Sequence, residues 1–238
     1  PFDLTAVDFL ESLNAPMYKI ASLESGDHAL IRAVAETGKP VIISTGATEW
    51  EEIEELVSVV RETGNKNLTL LLCTSSYPAI PADSHLRRIS LLRETFKCEI
   101  GLSDHTLGIG VSVAAIALGA TAIEKHITLR RTDGGADSAF SMEPEEFAEL
   151  VTQGKNAKAS LGKSEWKIQD SEQESRRLRR SLYITQDVKA GDIVSELNVR
   201  AIRPGDGAKP KFLPEILGKK FNGDFPIGTP LSLNYISS

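Results

Sequence analysis

Over roughly the first 160 residues, short apolar blocks end in polar side chains and give way to stretches with helical spacing. The blocks are Met17–Ser22, Val41–Thr45, Leu68–Cys73, Glu99–His105 and Ala122–His126. Between them, Ile53, Leu56, Val57 and Val60 recur at the interval of one helix face within Glu49–Thr63, and Ile109–Leu118 is a second such stretch. Alternating strand and helix predicts a parallel sheet with right-handed crossovers.

Both doubly wound sheets and (β/α)8 barrels alternate in this way. The polar residues favour the barrel. Each block carries reactive groups at its C-terminal end: Lys19 and Ser22, Ser44 and Thr45, Thr74 and Ser75 just past the third, Asp104 and His105, Lys125 and His126. Chemistry at the end of every consecutive strand is how a barrel builds an active site, whereas a doubly wound sheet gathers it at one switch point. The expectation is a TIM-type (β/α)8 barrel lacking its first three or so strands, because only five units are present. The opening Pro1-Phe2-Asp3, without methionine and leading straight into a helical pattern, fits a chain that starts inside a domain.

The texture changes after Gly162. Residues 163–180 are densely charged, end in Arg176, Arg177, Arg179 and Arg180, and are expected to be a linker or a solvated helix. From 181 to 238, short apolar runs broken by Lys189–Asp192, Arg203–Gly205 and Phe225–Pro230 predict a small, mostly β domain. Residues 1–162 form the barrel portion on this reading.

Bulk properties then narrow the function. A net charge of −6 and a pI near 5.4 argue against a nucleic-acid binder. No run reaches the roughly 20 apolar residues that span a bilayer. Two cysteines make no disulfide framework, so a cytoplasmic home is expected.

His105 and His126 are placed to meet over the barrel mouth. Two imidazoles with open positions suit Mn, Fe or Zn; equally, each could satisfy a hydrogen bond. Lys19, within an apolar strand, reads as an anion-binding cation, a strand-end ion pair or a Schiff-base lysine. By alternation Glu124 and His126 share a face, Glu124 as base or ligand-orienting group, while Lys125 points away and is structural. Ser44-Thr45-Gly46 and Thr74-Ser75-Ser76 can hold phosphate or carboxylate oxygens, or can simply cap helices. Thr48 and Glu51 fit a capping box, Tyr77-Pro78 a fixed turn, and His28 and His85 the surface. Thr132–Ser141 is a candidate substrate loop, and Arg203 a guanidinium suited to a carboxylate or phosphate.

Together these segments resemble the sialic acid synthase family. The stretches that carry the resemblance are Tyr18–Ser22, Ile43–Gly46, Cys73–Pro78, Gly101–Thr106, Ile123–His126 and Ile202–Gly205, besides Pro1–Asp3. The resemblance implies condensation of phosphoenolpyruvate with an acetamido sugar, and a C-terminal SAF (antifreeze-like) domain from about residue 181. It implies Mn2+, or another divalent metal, on His105 and His126, and phosphoenolpyruvate on Lys19, Ser44 and Ser103. It further implies a domain-swapped homodimer in which Arg203 reaches the partner's sugar. Ser22, Ser75, Tyr77, Asp137 and Phe140 are assigned to substrate binding, and Glu124 to catalysis beside the two histidines. The Asp137–Ser141 stretch resembles pseudaminic acid synthases, so a 2,4-diacetamido-2,4,6-trideoxy hexose of the altrose type is the expected substrate. N-Acetylneuraminate, legionaminate and spore-coat polysaccharide synthases are the alternatives within the family. A non-catalytic sugar-binding or dimerising remnant is the alternative outside enzymology. Ala136, Leu72 and the Ile80–Asp83 stretch depart from the family's common residues.

Overall fold

The computed structural model describes residues 1–237. Contacts divide the chain into two units, Pro1–Lys163 and Ser164–Ser238.

In the first unit, strands β1 (Tyr18–Ile20), β2 (Val41–Ser44), β3 (Leu68–Cys73), β4 (Glu99–Ser103) and β5 (Ile123–Glu124) form one all-parallel sheet in the order β1-β2-β3-β4-β5. Each new strand adds to the same side, with no reversal. A doubly wound sheet must reverse at its switch point; sequential addition is barrel topology. The first unit is therefore a partial (β/α)8 barrel, as the polar strand ends predicted. β1 and β5 each pair with one neighbour among the described residues, so the sheet has two edges.

Helix α1 (Leu4–Ser12) precedes β1, the four crossovers are α2 (His28–Glu36), α3 (Trp50–Glu62), α4 (Arg88–Phe96) and α5 (Gly110–Ala117), and α6 (Pro144–Ser160) follows β5. Asp27 caps α2 by accepting the Leu30 amide at 3.0 Å. The capping box of α3 is not Thr48 with Glu51 as the spacing suggested. Glu49 is the N-cap and pairs with Glu52, the Glu49 amide donating to the Glu52 carboxylate at 2.7 Å. Thr48 is occupied elsewhere: its hydroxyl donates to the Gly46 carbonyl and lies 2.9 Å from Ser25 Oγ.

The core lies between sheet and helices. Ile20, Ile43, Leu70 and Ile100 come from the strands and Leu30, Val34, Leu56, Val60 and Ile89 from the helices, each essentially inaccessible to solvent. Residues Ile53, Leu56, Val57 and Val60, picked out by spacing, are all buried. The polar strand ends therefore lie beyond the core rather than within it. His28 and His85 are on the surface, as expected. No helix of the described residues is long and apolar enough to cross a membrane.

The second unit packs its own core of Leu182, Ile184, Val199, Phe221 and Leu231 around an antiparallel pair, β6 (Ser181–Ile184) and β7 (Val199–Ile202). Isolated bridges such as Tyr183 to Pro230 and Val188 to Phe225 complete a mostly β unit. Gly207 allows a close crossing there: a Cβ would stand 2.2 Å from the Leu182 carbonyl oxygen. The charged segment that precedes β6 groups with this unit, contains helix α7 (Gln173–Arg177), and is tied down by the Gly205 amide donating to the Arg177 carbonyl at 2.9 Å.

Candidate active site

The C-terminal ends of the five strands bring most of the singled-out residues of the first unit to one place. On one side, Ser103 Oγ donates to Glu124 Oε1 at 2.7 Å, and the other carboxylate oxygen of Glu124 lies 3.5 Å from Lys19 Nζ. Lys19 Nζ also donates to the Ile20 carbonyl at 3.1 Å. β1, β4 and β5 thus each supply one member of an ammonium–carboxylate–hydroxyl chain. The strand-end ion pair foreseen for Lys19 is present, and the ammonium stays about one-third exposed toward the mouth.

Beside it lies a small cradle. The Gly46 amide donates to Ser22 Oγ at 2.9 Å. A Cβ on Gly46 would meet Ser75 Oγ at 2.1 Å and Cys73 Sγ and Ser22 Oγ at 2.9 Å, so only glycine leaves these groups together. Ser44, 2% exposed, has a buried hydroxyl with no hydrogen-bond partner. Such an orphan costs free energy unless a ligand atom satisfies it.

On the other side stand the histidines, with ring centroids 5.2 Å apart and edge to face. His105 Nδ1 lies 2.9 Å from the Thr74 carbonyl. A carbonyl only accepts, so Nδ1 carries the proton and Nε2 keeps its lone pair. His126 Nδ1 faces Asp137 Oδ2 at 3.5 Å. Among the described residues no group of three or more His, Cys, Asp or Glu gathers to hold a metal. The chemistry of the pair, two neighbouring imidazoles, suits a divalent first-row ion that keeps open positions for substrate or water.

Cys73 was not singled out as a site residue, yet it sits at the junction of both halves. Its Sγ lies 3.8 Å from Ser75 Oγ and 4.0 Å from His105 Nδ1. Burial raises the thiol's pKa, but hydrogen bonding to His105, Ser22 and Ser103 outweighs it and the net shift is downward. Burial likewise opposes the His105 imidazolium, while Cys73 and the Thr74 carbonyl reverse the sign, leaving its pKa raised. The signal in the sequence was positional: Cys73 ends β3 as Ser103 ends β4, and the two are register partners.

Tyr77 and Phe140 complete the rim. Tyr77 lies 4.3 Å from the His105 ring, and Phe140 lies 5.2 Å from that of His126. Behind the histidines, Lys125 is buried against Asp104, the structural role that strand alternation assigned to it. Arg203 belongs to the second unit. It follows β7 and lines a groove of about 780 Å³ with Arg176, Arg177, Arg180, Lys209 and Lys211.

This arrangement can be set beside known proteins. The NeuB family profile matches residues 1–166, and the SAF domain profile matches residues 179–236. The chain belongs to the NeuB family. Pseudaminic acid synthase of Campylobacter jejuni is 39% identical over 97% of this chain and 67% of its own length. N,N'-diacetyllegionaminic acid synthase of the same species is 40% identical over 92% of this chain and 66% of its own length. Among solved structures, an N-acetylneuraminic acid (sialic acid) synthetase from Leptospira borgpetersenii in complex with citrate superposes with a TM-score of 0.69 and 38% identity. That superposition covers 74% of this chain and 61% of the Leptospira chain. This member of the NeuB family thus spans about two thirds of the length of the relatives it matches.

Proposed function

We propose that the chain carries the catalytic end of a phosphoenolpyruvate-condensing synthase, and that its sugar is a 2,4-diacetamido-2,4,6-trideoxy hexose of the altrose type, giving pseudaminic acid and phosphate. One observation carries the reading. The Lys19–Glu124–Ser103 chain and the His105–His126 pair converge at the ends of consecutive parallel strands, in a chain similar to enzymes named for this chemistry. The sugar is chosen on the Asp137–Ser141 stretch.

Phosphoenolpyruvate carries a carboxylate and a phosphate. The Lys19 ammonium, the Ser103 hydroxyl and the buried Ser44 hydroxyl hold its oxygens, with Ser22 and Ser75 around Gly46 completing the cradle. His105 and His126 would hold Mn2+, or another divalent ion. Such an ion would supply Lewis-acid polarisation of the sugar's aldehyde carbonyl. The methylene carbon of phosphoenolpyruvate bonds to the aldehyde carbon, and the aldehyde oxygen takes up a proton. Water adds its oxygen to the former enol carbon, and the bond from that carbon to the phosphate oxygen breaks. Glu124, between Lys19 and Ser103, orients the site and moves a proton, while Asp137 and Tyr77 contact the sugar. Arg203 reaches the sugar from the second subunit of a domain-swapped homodimer. Free thiols at Cys73 and Cys98 support a cytoplasmic home.

The test is phosphate release from phosphoenolpyruvate with Mn2+ and the diacetamido sugar, using this chain and one extended at its N-terminus to the length of the relatives. Sugar-dependent release that His105→Ala and His126→Ala abolish is the expected result. Release with N-acetylmannosamine or the legionaminate precursor instead would keep the synthase and change its sugar; the 40% identity to a legionaminic acid synthase makes this the second reading. No release with any of the three sugars would leave a non-catalytic protein.

A further inference from the structure

Four rings meet at the mouth of the first unit. Tyr77 lies 4.3 Å from His105 and 5.6 Å from Phe140, and Phe140 lies 5.2 Å from His126. Two of them are imidazoles with polar work to do. The other two, Tyr77 and Phe140, form a wall beside that pair, and the phenyl ring of Phe140 has no hydrogen-bonding group at all.

The wall is built in. Phe140 closes a 3-10 turn, Ser138–Phe140, and the Asp137 carbonyl accepts the Ser141 hydroxyl at 2.7 Å and the Ser141 amide at 3.1 Å. Immediately afterwards, the Met142 amide donates to the His126 carbonyl and the Thr128 amide to the Met142 carbonyl, each at 2.9 Å. The turn is therefore bonded to the segment that carries His126, and the phenyl ring keeps its place against the imidazole. Phe140 is only half-buried and Tyr77 is 53% exposed, so both retain surface for an incoming molecule.

An aromatic wall in reach of the reacting centre gains contact with a methyl group and loses with a hydroxyl, whose hydrogen bonds to water it cannot replace. We propose that Phe140 is a specificity-determining residue. With Tyr77 it takes an apolar substituent of the sugar, the methyl of an acetamido group or a deoxy carbon, and discriminates against a sugar that presents a hydroxyl in its place. This rests on the synthase reading and adds to it the physical cause of sugar choice.

The experiment measures dissociation constants of the chain, loaded with Mn2+ and phosphoenolpyruvate, for two sugars by NMR titration: 2,4-diacetamido-2,4,6-trideoxy-altrose and N-acetylmannosamine. Wild type is expected to favour the first. Phe140→Ala is expected to erode that preference by about 10- to 200-fold, the range for one apolar group in a pocket, and Phe140→Leu to keep most of it. An unchanged ratio in Phe140→Ala, or equal weakening of both sugars, overturns the proposal, because a ring that only braces His126 affects both alike. Turnover is a separate arm. A chain that shows the expected binding ratio yet releases no phosphate fails the synthase reading, whereas phosphate release with an unchanged binding ratio fails this proposal alone.

Discussion

Lys125 Nζ lies 3.0 Å from Asp104 Oδ2, with side chains 2% and 1% exposed, and each residue immediately precedes one of the two mouth histidines. The pair is saturated: Lys125 also donates to the Thr106 carbonyl, and Asp104 accepts the Thr106 amide and hydroxyl and the Ser112 hydroxyl. The spacing of His105 and His126 is set by this buried tie between the segments that follow β4 and β5. Removing one partner strands a buried charge, which costs about 3–5 kcal/mol. Lys125→Met should lower the denaturation midpoint accordingly in chemical unfolding, and metal affinity should fall with it. A Lys125→Met chain as stable as wild type would show that Asp104 is satisfied by its hydroxyl partners alone.

Ser44 supplies a prediction of opposite sign. Its hydroxyl is buried without a partner, so removing it from the empty protein relieves an unsatisfied group worth about 1–3 kcal/mol. Ser44→Ala is therefore expected to leave thermal stability equal or higher while weakening phosphoenolpyruvate binding, read by calorimetry. Gly46→Ala should also weaken binding, through steric filling, since its methyl would displace Ser75 and Ser22. Loss of stability in Ser44→Ala would mean that the hydroxyl has a partner within the protein.

Much of this was legible in the sequence. Apolar blocks ending in polar residues marked all five strands because the core demands unbroken β-branched and leucine runs while the mouth tolerates Lys19, Ser44, Ser103 and Glu124. The boundaries were overdrawn for a related reason. Ser22, His105 and His126 continue the chemistry of their strands but lie outside the ladders, since β1 ends at Ile20, β4 at Ser103 and β5 at Glu124. The Thr48 cap failed because Glu49, one residue later, has a carboxylate long enough to close the same ring, and Thr48 is drawn toward Ser25 instead. Cys73 opens the Cys73–Pro78 stretch but receives no site role from the sequence, because a lone cysteine at a strand end carries no spacing signal; only the parallel register that sets it beside Ser103 reveals its place.

Tyr18 sets an alkaline limit. It is 1% exposed, and its hydroxyl donates to Glu11, a carboxylate also paired with Lys39. Burial first, and then the neighbouring carboxylate, push its pKa up to about 12 from an ordinary value of 10.0. The folded state holds this proton more tightly than the unfolded chain. Its contribution is thus fully present below pH 10 and is lost as pH rises from about 10 to 12. Thermal stability should decline across that window, and Tyr18→Phe, lacking the ionisable group, should flatten the decline. Equal slopes in the two proteins would place the alkaline sensitivity elsewhere.

Arg203 tests the dimer. It is exposed after β7 and makes no ion pair among the described residues, so its removal should cost the second unit little stability. A charge-assisted hydrogen bond to the sugar is worth about 1.5–3 kcal/mol, and Arg203→Ala should lower kcat/KM for the sugar by about 10- to 150-fold on that basis. Arg203→Lys should recover only part of it, because an ammonium cannot reproduce a planar two-pronged donor. In a swapped dimer the arginine and the histidine pair of one site come from different chains. Mixing the impaired Arg203→Ala chain with the inactive His126→Ala chain, with unfolding and refolding to exchange subunits, should then raise turnover above that of Arg203→Ala alone through hybrid dimers that carry one intact site. If the mixture turns over no faster than Arg203→Ala alone while each variant remains folded, Arg203 serves a site on its own chain or none.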